Sequence, residues 1–541
     1  MTPNLTDYAQ TCRTFSWPKA QPPTPWFFQP PTATLKNKIA LYWEGENGQT
    51  KKFTFGQISD RANQFAHLLK KLGVKKGDRV FFFLPRVSQL YWGLVGSLRI
   101  GAVVGTLFAA FGTQALQDRL ANSGAKVLVT NKELLPRVKA IKSHLPDLQK
   151  IILADDLDRE IAKEATAFPD VTLTDADPLC MLYTSATGNT PVSGIVTPRP
   201  ALRQQMITAQ WVLDLHPQDI YWCTADPGWV TGVAYGILAP WALANTLVVF
   251  EGRFAPGKWY EIIQKYQVSV LYTAPTAIRL LQDLEKIIKN YDLSALRLVA
   301  TVGEALTPAS FAWIEKYLKV PVLDTYWQTE TGAMMICNFL TVPQKPGSMG
   351  KPIPGITAVV LDDHFQPVKA GVAGNLAFKP GWPGMMSQIW QNPQLYRSYF
   401  SHGWFLTGDR VYCDQQGYFW FSSRKTEIIK TAGERVGTFE VESAIASHPA
   451  VLENAVIGKP DPIRGEIIKA FIVLRSDHQP SAKIKTEIQT YVKTHLAGHA
   501  YPREIDFVAK LPKTRSGKIV RRLLKAQEMS LPVGDTSTLE E

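Results

Sequence analysis

Six short segments concentrate the side chains that could do chemistry. Hydroxyls crowd Leu182 to Val196 (LYTSATGNTPVSGIV), where Thr184, Ser185, Thr187 and Thr190 can donate to phosphate oxygens within a cradle of backbone amides. Thr301 to Pro308 (TVGEALTP) sets a glycine beside a carboxylate, and the missing side chain allows a ligand to come close to the backbone. Asp324 to Gly332 (DTYWQTETG) mixes amide, hydroxyl, indole and carboxylate, and Leu406 to Arg410 (LTGDR) carries Asp409, an acceptor-only group suited to gripping a pair of sugar hydroxyls. Ser423 to Ser443 (SRKTEIIKTAGERVGTFEVES) and Leu511 to Arg522 (LPKTRSGKIVRR) add cations. Lys518 in the last of them is a flexible ammonium, the kind of group that stabilises negative charge developing in a transition state. Taken singly, each string also has a plain structural use, as a helix cap, a turn, a core indole or a solvated lysine.

The elements that must position these groups read as layers of strand and helix. Short β-branched or aromatic runs at Arg79 to Leu84, Lys126 to Thr130, Lys150 to Ala154, Thr246 to Glu251, Val268 to Tyr272, Arg297 to Thr301 and Pro321 to Asp324 alternate with longer helical patterns. That alternation predicts an α/β fold, a large N-terminal body of layered, mostly parallel β-sheets with flanking helices. Sites in such sheets lie at the strand C-terminal ends, where several of the polar segments fall. After about Arg424 the texture changes to a helix near Phe439 to Ser447, strands at Ala455 to Gly458 and Ile467 to Leu474, and a helix at Ala482 to Leu496 with Ile484, Ile488 and Val492 on one stripe. This predicts a small C-terminal α+β domain, with boundaries at 1–424 and 425–541. The start, Met1 to Pro31, reads as an irregular segment lying on the body, and Glu528 to Glu541 as a frayed tail.

Composition narrows the classes. The 541 residues exceed what one core usually serves, and 45% apolar with 20% charged residues is ordinary for a soluble globular chain. The longest apolar stretch, Ile237 to Phe250, is interrupted by Pro240 and Asn245, so no membrane span is expected, and a cytosolic location follows by default. The five cysteines lie far apart with no CxxC, which suggests neither a zinc site nor a disulfide framework. A net charge of +12 without an aromatic-interleaved basic stripe argues against nucleic acid while leaving small polyanions such as nucleotides open.

In order and separation, the six segments resemble those of the adenylate-forming superfamily, which includes acyl-CoA synthetases, firefly luciferase and peptide-synthetase adenylation domains; the likeness spans roughly residues 35 to 525. Trp222 to Gly232 (WCTADPGWVTG), Leu107 to Gly112 (LFAAFG) and YWQTETG are similar to the acetyl-CoA synthetase branch in particular. The resemblance implies an ATP-dependent ligase that activates a short acid, acetate first, as an acyl-adenylate and passes the acyl group to coenzyme A, with release of AMP and pyrophosphate. It implies ATP, Mg2+ and CoA as cofactor and co-substrates and small molecules as the only partners. By the same resemblance Thr329 donates to the α-phosphate, Glu330 holds Mg2+, and Gly303, Glu304 and Ala305 form a backbone shelf for adenine. Asp409 and Arg424 hold the ribose, and Asp324, Thr325, Tyr326 and Gln328 join them as expected nucleotide contacts. Trp327 floors the acyl pocket, lined further by Val230, Thr231 and Val302; a ring of that size leaves room for only a few carbons. Lys518 drives adenylation, Arg435 meets phosphate when the small domain swings, and Gly433 with Ala432 borders the pantetheine tunnel. The family rotates its mobile C-terminal domain about a hinge just after the ribose-binding arginine, here Lys425 to Thr426.

The main departure is the phosphate loop. The family reads close to YTSGTTGKPKG, whereas here YTSATGNTPVSG puts Ala186 in place of a glycine and Val192 or Ser193 where a lysine stands. Losing that ammonium removes a charge-assisted contact worth about 1.5 to 3 kcal/mol. A second departure is FFQPPTATLKNKIALYWEG, which lacks the helix that relatives carry before this strand. Propionate or another short acid, a different acyl acceptor, or a nucleotide-binding homologue without catalysis are the competing expectations. Neutralisation of Lys518 by acylation is a conceivable regulatory device.

Overall fold

A computed structural model describes residues 2–18, 25–28, 31–184, 193–282, 285–424, 427–431, 434–496, 500–514, 519–533, 536 and 539. Its first sheet runs, edge to edge, through Lys351–Pro352, Ile336–Cys337, Val322–Tyr326, Leu298–Val302, Val270–Thr273, Ile220–Cys223, Thr246–Phe250, Ile39–Glu44 and Thr50–Thr54. The six strands from Val322–Tyr326 to Ile39–Glu44 are mutually parallel. Their middle members are buried on both faces: Val270–Thr273, Leu298–Val302 and Thr246–Phe250 are buried throughout, which is why they read as unbroken apolar runs rather than alternating ones.

The second sheet orders Gln388–Ile389, Gly194–Pro198, Pro178–Tyr183, Val103–Phe108, Arg79–Leu84, Val127–Thr130 and Lys150–Leu153, parallel from Pro178–Tyr183 onward. The helix Phe55–Lys71, started by a capping box between Thr54 and Gln57, packs on Ser88–Arg99 beside this layer. A third sheet, Ala358–Leu361, Gly374–Phe378, Trp404–Cys413, Phe400–Ser401 and Phe419–Arg424, is antiparallel throughout. The sequence reading found no such layer, because hairpin strands wet on one side lack the long apolar runs by which the parallel strands were recognised.

The last sheet joins Glu434–Val436, Ile429–Thr431, Gly465–Leu474, Val451–Asp461 and Glu504–Phe507, and two clusters of buried apolar residues from 429 onward give this end of the chain cores of its own. Its long hairpin extends well past the expected Ala455 to Gly458, with Asp461 opposite Gly465; Pro460 hid the extension, but Val451–Asp461 is an edge strand, where proline is tolerated. In the helix Ala482–His495, Ile488 and Val492 are buried and Ile484 packs on them at the margin, as the spacing required.

Several boundaries differ from expectation. Ala154 opens a helix, Ala154–Ile161, rather than closing a strand, and the strand expected from Val268 begins at Val270 because Gln267 turns the chain in a left-handed cap. The N-terminal segment is not wholly irregular: Asp7 caps a helix, Tyr8–Thr14. The helix thought missing before Ile39 is reduced to one turn, Ala33–Lys36, capped by Thr32. Nor is the tail simply frayed, since Arg522 donates to the Val533 carbonyl and Leu539 pairs with Thr514.

Candidate active site

A cleft of about 650 Å³ opens between the body and the C-terminal unit. The C-terminal ends of two parallel strands form its floor. Gly303 to Ala305 follow Leu298–Val302, and Asp324, Thr325, Tyr326, Trp327 and Gln328 end or follow Val322–Tyr326. Asp409 and Arg424 come from the third sheet, and Thr514 with Ile519 to Arg522 closes the other side. Gly303 has φ +92 and an added Cβ there would meet nothing within 4 Å, so the turn needs glycine for its backbone rather than for packing.

Asp409 and Arg424 are directly opposed on Trp404–Cys413 and Phe419–Arg424, with the guanidinium 3.6 Å from the carboxylate. Asp409 is buried and accepts from the Tyr326 hydroxyl at 2.6 Å and the Gln328 amide at 2.8 Å. The pair therefore presents a fixed carboxylate beside a cation. Glu304 lines the cleft with its carboxylate already held: Thr276 donates to both its oxygens at 2.9 and 3.0 Å and Arg279 pairs with it at 2.9 Å. Burial pushes its carboxyl up, but the Arg279 charge and these donors outweigh that and hold it below the ordinary value. The segment thus offers the cleft its backbone beside a carboxylate that is already paired. Asp324 is a different case, with burial pushing its carboxyl up to about 7 although Thr301 donates to it at 2.7 Å.

Val230, Val302 and Trp327 belong to one apolar cluster, and Thr231 shares the short helix Val230–Val233. The Trp327 indole lies edge-on to Tyr235, with ring centroids 5.0 Å apart and planes at 74°, and its N–H points to the Tyr272 hydroxyl at 3.4 Å. Thr329 and Glu330 fall in the turn beyond Gln328, outside the cleft lining. Glu330 accepts from Tyr399 at 3.0 Å, and burial raises its carboxyl. The turn is fixed by Gly332, φ +68, where a Cβ would stand 1.9 Å from the Gly384 carbonyl oxygen.

Thr184 donates its backbone N–H to Ser193 at 3.4 Å at the base of the hairpin that carries the phosphate-loop segment. Ser185, Ala186, Thr187, Thr190 and Val192 lie outside the described residues, as do Lys518, the hinge pair Lys425 and Thr426, and Ala432 and Gly433. Arg435 stands opposite Lys430 in the short ladder of Ile429–Thr431 with Glu434–Val436. Sequence reasoning missed Tyr235, Tyr272, Arg279, Tyr399 and Arg521. Arg521 donates to both oxygens of Glu442 at 2.7 and 2.5 Å and lies 3.6 Å from Glu427. It was visible only as the arginine after IV; its carboxylate partners lie 79 or more residues away and could not be read from spacing.

The model of the AMP-binding enzyme family matches residues 28–390, and that of the AMP-binding enzyme C-terminal domain matches 440–518. The chain belongs to the AMP-binding enzyme family. Among relatives of this AMP-binding enzyme, an acetyl-coenzyme A synthetase of Bacillus subtilis (strain 168) is 46% identical over 99% of this chain and 98% of its own. An acetyl-coenzyme A synthetase of Methanothrix thermoacetophila is 38% identical over 93% of this chain and 82% of its own. Among solved structures, an anthranilate CoA ligase in complex with anthranoyl-AMP superposes with a TM-score of 0.87 at 28% identity, covering 93% of this chain and 96% of that one. An acyl-CoA synthetase of Brucella canis gives 0.74 at 32% identity, covering 97% and 99%. No helix among the described residues is long and apolar enough to cross a membrane.

Proposed function

We propose that this AMP-binding enzyme is an acetate:CoA ligase. A carboxylate oxygen of acetate attacks the α-phosphorus of ATP and pyrophosphate leaves; the CoA sulfur then attacks the acyl carbon and AMP leaves. The observation that carries the reading is the convergence, on one cleft, of Gly303 to Ala305, Asp324 to Gln328, Asp409, Arg424 and the segment after Lys518, groups spread over more than two hundred residues of chain. In this reading the shelf at Gly303 to Ala305 receives adenine. Asp409, oriented by Tyr326 and Gln328, accepts from the ribose hydroxyls with Arg424 beside it. Trp327, with Val230, Thr231 and Val302, closes the acyl pocket, and Thr329 donates to the α-phosphate. Lys518 bridges the attacking carboxylate and the α-phosphate, and Arg435 and Gly433 serve the CoA half-reaction after rotation about Lys425 and Thr426, the boundary at which we divide the chain.

Mg2+ fits the residues present. Bound with a nucleotide, such an ion rests mainly on substrate phosphates and one or two carboxylates. Glu330, held by Tyr399 in the turn just beyond the cleft lining, would supply a carboxylate. The ion would neutralise charge on the polyphosphate.

The test is pyrophosphate release from MgATP with acetate, propionate, butyrate or octanoate, with and without CoA, beside Lys518→Ala. Acetate-dependent release, acetyl-CoA as product and a fall of about a hundredfold or more in Lys518→Ala are expected. No release with any acid, while nucleotide still binds, would instead mark a binding protein.

A further inference from the structure

Trp327 closes the acyl pocket only if its ring stays in one orientation, and the indole is half-buried where it lines the cleft. Its two polar and aromatic neighbours, Tyr235 and Tyr272, are both fully buried. The hydrogen bonds around them have a determined direction. The Thr325 hydroxyl lies 2.8 Å from the Thr301 carbonyl, which can only accept, so the single hydroxyl proton of Thr325 goes there. The Tyr272 hydroxyl, 2.7 Å from Thr325 Oγ1, must therefore donate to it. That leaves the Tyr272 oxygen as an oriented acceptor for the Trp327 Nε1–H at 3.4 Å. One directed chain thus runs from the indole through Tyr272 and Thr325 to the Thr301 backbone, crossing the three adjacent parallel strands Val270–Thr273, Leu298–Val302 and Val322–Tyr326.

Tyr235 is fixed by the same logic. Thr208 gives its proton to a helix carbonyl, that of Gln204 at 2.7 Å, so Tyr235 donates to Thr208 at 2.7 Å and accepts from the Met334 N–H at 2.9 Å. It is a rigid wall against which the indole rests edge-on. The link to Tyr272 is the longest bond in the chain and the only one made by the indole among the described residues.

We propose that Tyr272 is a specificity-determining positioning residue: through the chain Thr301, Thr325, Tyr272, it locks the Trp327 indole across the acyl pocket and so excludes longer acids. The proposal rests on the reading of Trp327 as the pocket floor. Removing the Tyr272 hydroxyl leaves the indole N–H without its acceptor while the phenyl ring keeps its packing. The indole is then free to swing aside, which deepens the pocket and weakens the fit to acetate.

The experiment measures kcat/KM for butyrate relative to acetate in wild type, Tyr272→Phe, Thr325→Val and the double variant, with thermal midpoints to confirm folding. Tyr272→Phe should raise the ratio about twofold, the lower end of what one hydrogen bond contributes, as a 3.4 Å contact implies, with the KM for acetate rising more than kcat falls. Thr325→Val removes the acceptor that orients Tyr272 and should shift the ratio in the same direction. The double variant should go no further than Tyr272→Phe, because both act through one chain. Should Tyr272→Phe fail to fold, Thr325→Val carries the same comparison. Trp327→Ala separates the two ideas. If it does not admit butyrate, the acyl-pocket reading falls. If it does, while Tyr272→Phe and Thr325→Val keep the wild-type ratio, the positioning role of Tyr272 is overturned.

Discussion

Asp324 lies midway along the strand Val322–Tyr326 and lines the cleft, and burial pushes its carboxyl from an ordinary 3.8 up to about 7. At pH values below about 4 it holds a proton in the folded and the unfolded chain alike. Between about pH 4 and about 7 only the folded chain keeps the proton, so the unfolded state binds fewer and this residue's contribution to stability falls as pH rises; above about 7 the loss is complete. Asp324→Asn cannot ionise. Its thermal midpoint relative to wild type should therefore climb as the pH is raised from about 4 to about 7 and then level off. A difference that stays constant across that range would contradict the assignment. Asp324, Asp409 and Trp327 were picked out because they sit inside dense polar strings, and all three line the cleft. The partners that set their chemistry were not: nothing in a linear reading pairs Arg279 with Glu304 or Tyr399 with Glu330, since those contacts are made between separate elements.

At the scale of elements, the hairpin of Pro178–Tyr183 and Gly194–Pro198 carries the altered phosphate loop. The sequence leaves two positions, Val192 and Ser193, where the family places lysine. Ser193 is buried at the base of the hairpin, its carbonyl taken by the Thr184 N–H. An ammonium there would be driven into the sheet, where burying an unpaired charge is costly. Val192→Lys is accordingly expected to raise the rate of pyrophosphate release by about tenfold, the lower end of one charge-assisted contact. Ser193→Lys should instead lower the thermal midpoint without that gain. Equal activity in the two variants would show that the hairpin does not distinguish the sites. Three strands of this layer, Arg79–Leu84, Val127–Thr130 and Lys150–Leu153, were placed nearly correctly from their apolar runs, but Val103–Phe108 and both strands of the hairpin itself were not recognised, and the one-turn helix Ala33–Lys36 was lost because a single turn has no periodicity to detect.

For the whole molecule, each side of the cleft is braced by ion pairs of its own. Arg521 meets Glu442 and Glu427, and across the cleft Glu304 is paired with Arg279. Breaking a buried pair costs more than never having made it, because one charge is left unpaired. Arg521→Met should cost about 3 kcal/mol by stranding Glu442. Arg521→Met with Glu442→Gln should recover most of that, since Gln keeps an acceptor for the Val456 N–H that Glu442 now bonds at 2.8 Å. Chemical denaturation of the single and double variants checks this; an equal loss in both would assign the cost to packing instead of charge.

The sequence by itself determined the family, the parallel layers and the polar strings of the cleft, because adenylate chemistry needs particular residue types in short runs and parallel strands need long apolar ones. The tertiary structure decided what those strings touch. The direction of the hydrogen bonds from Trp327 to Thr301, the pairing of Glu304 with Arg279 and the ion pairs of Arg521 depend on which strands and helices lie side by side. Sheet order is a property of three-dimensional packing, and spacing along one chain does not carry it.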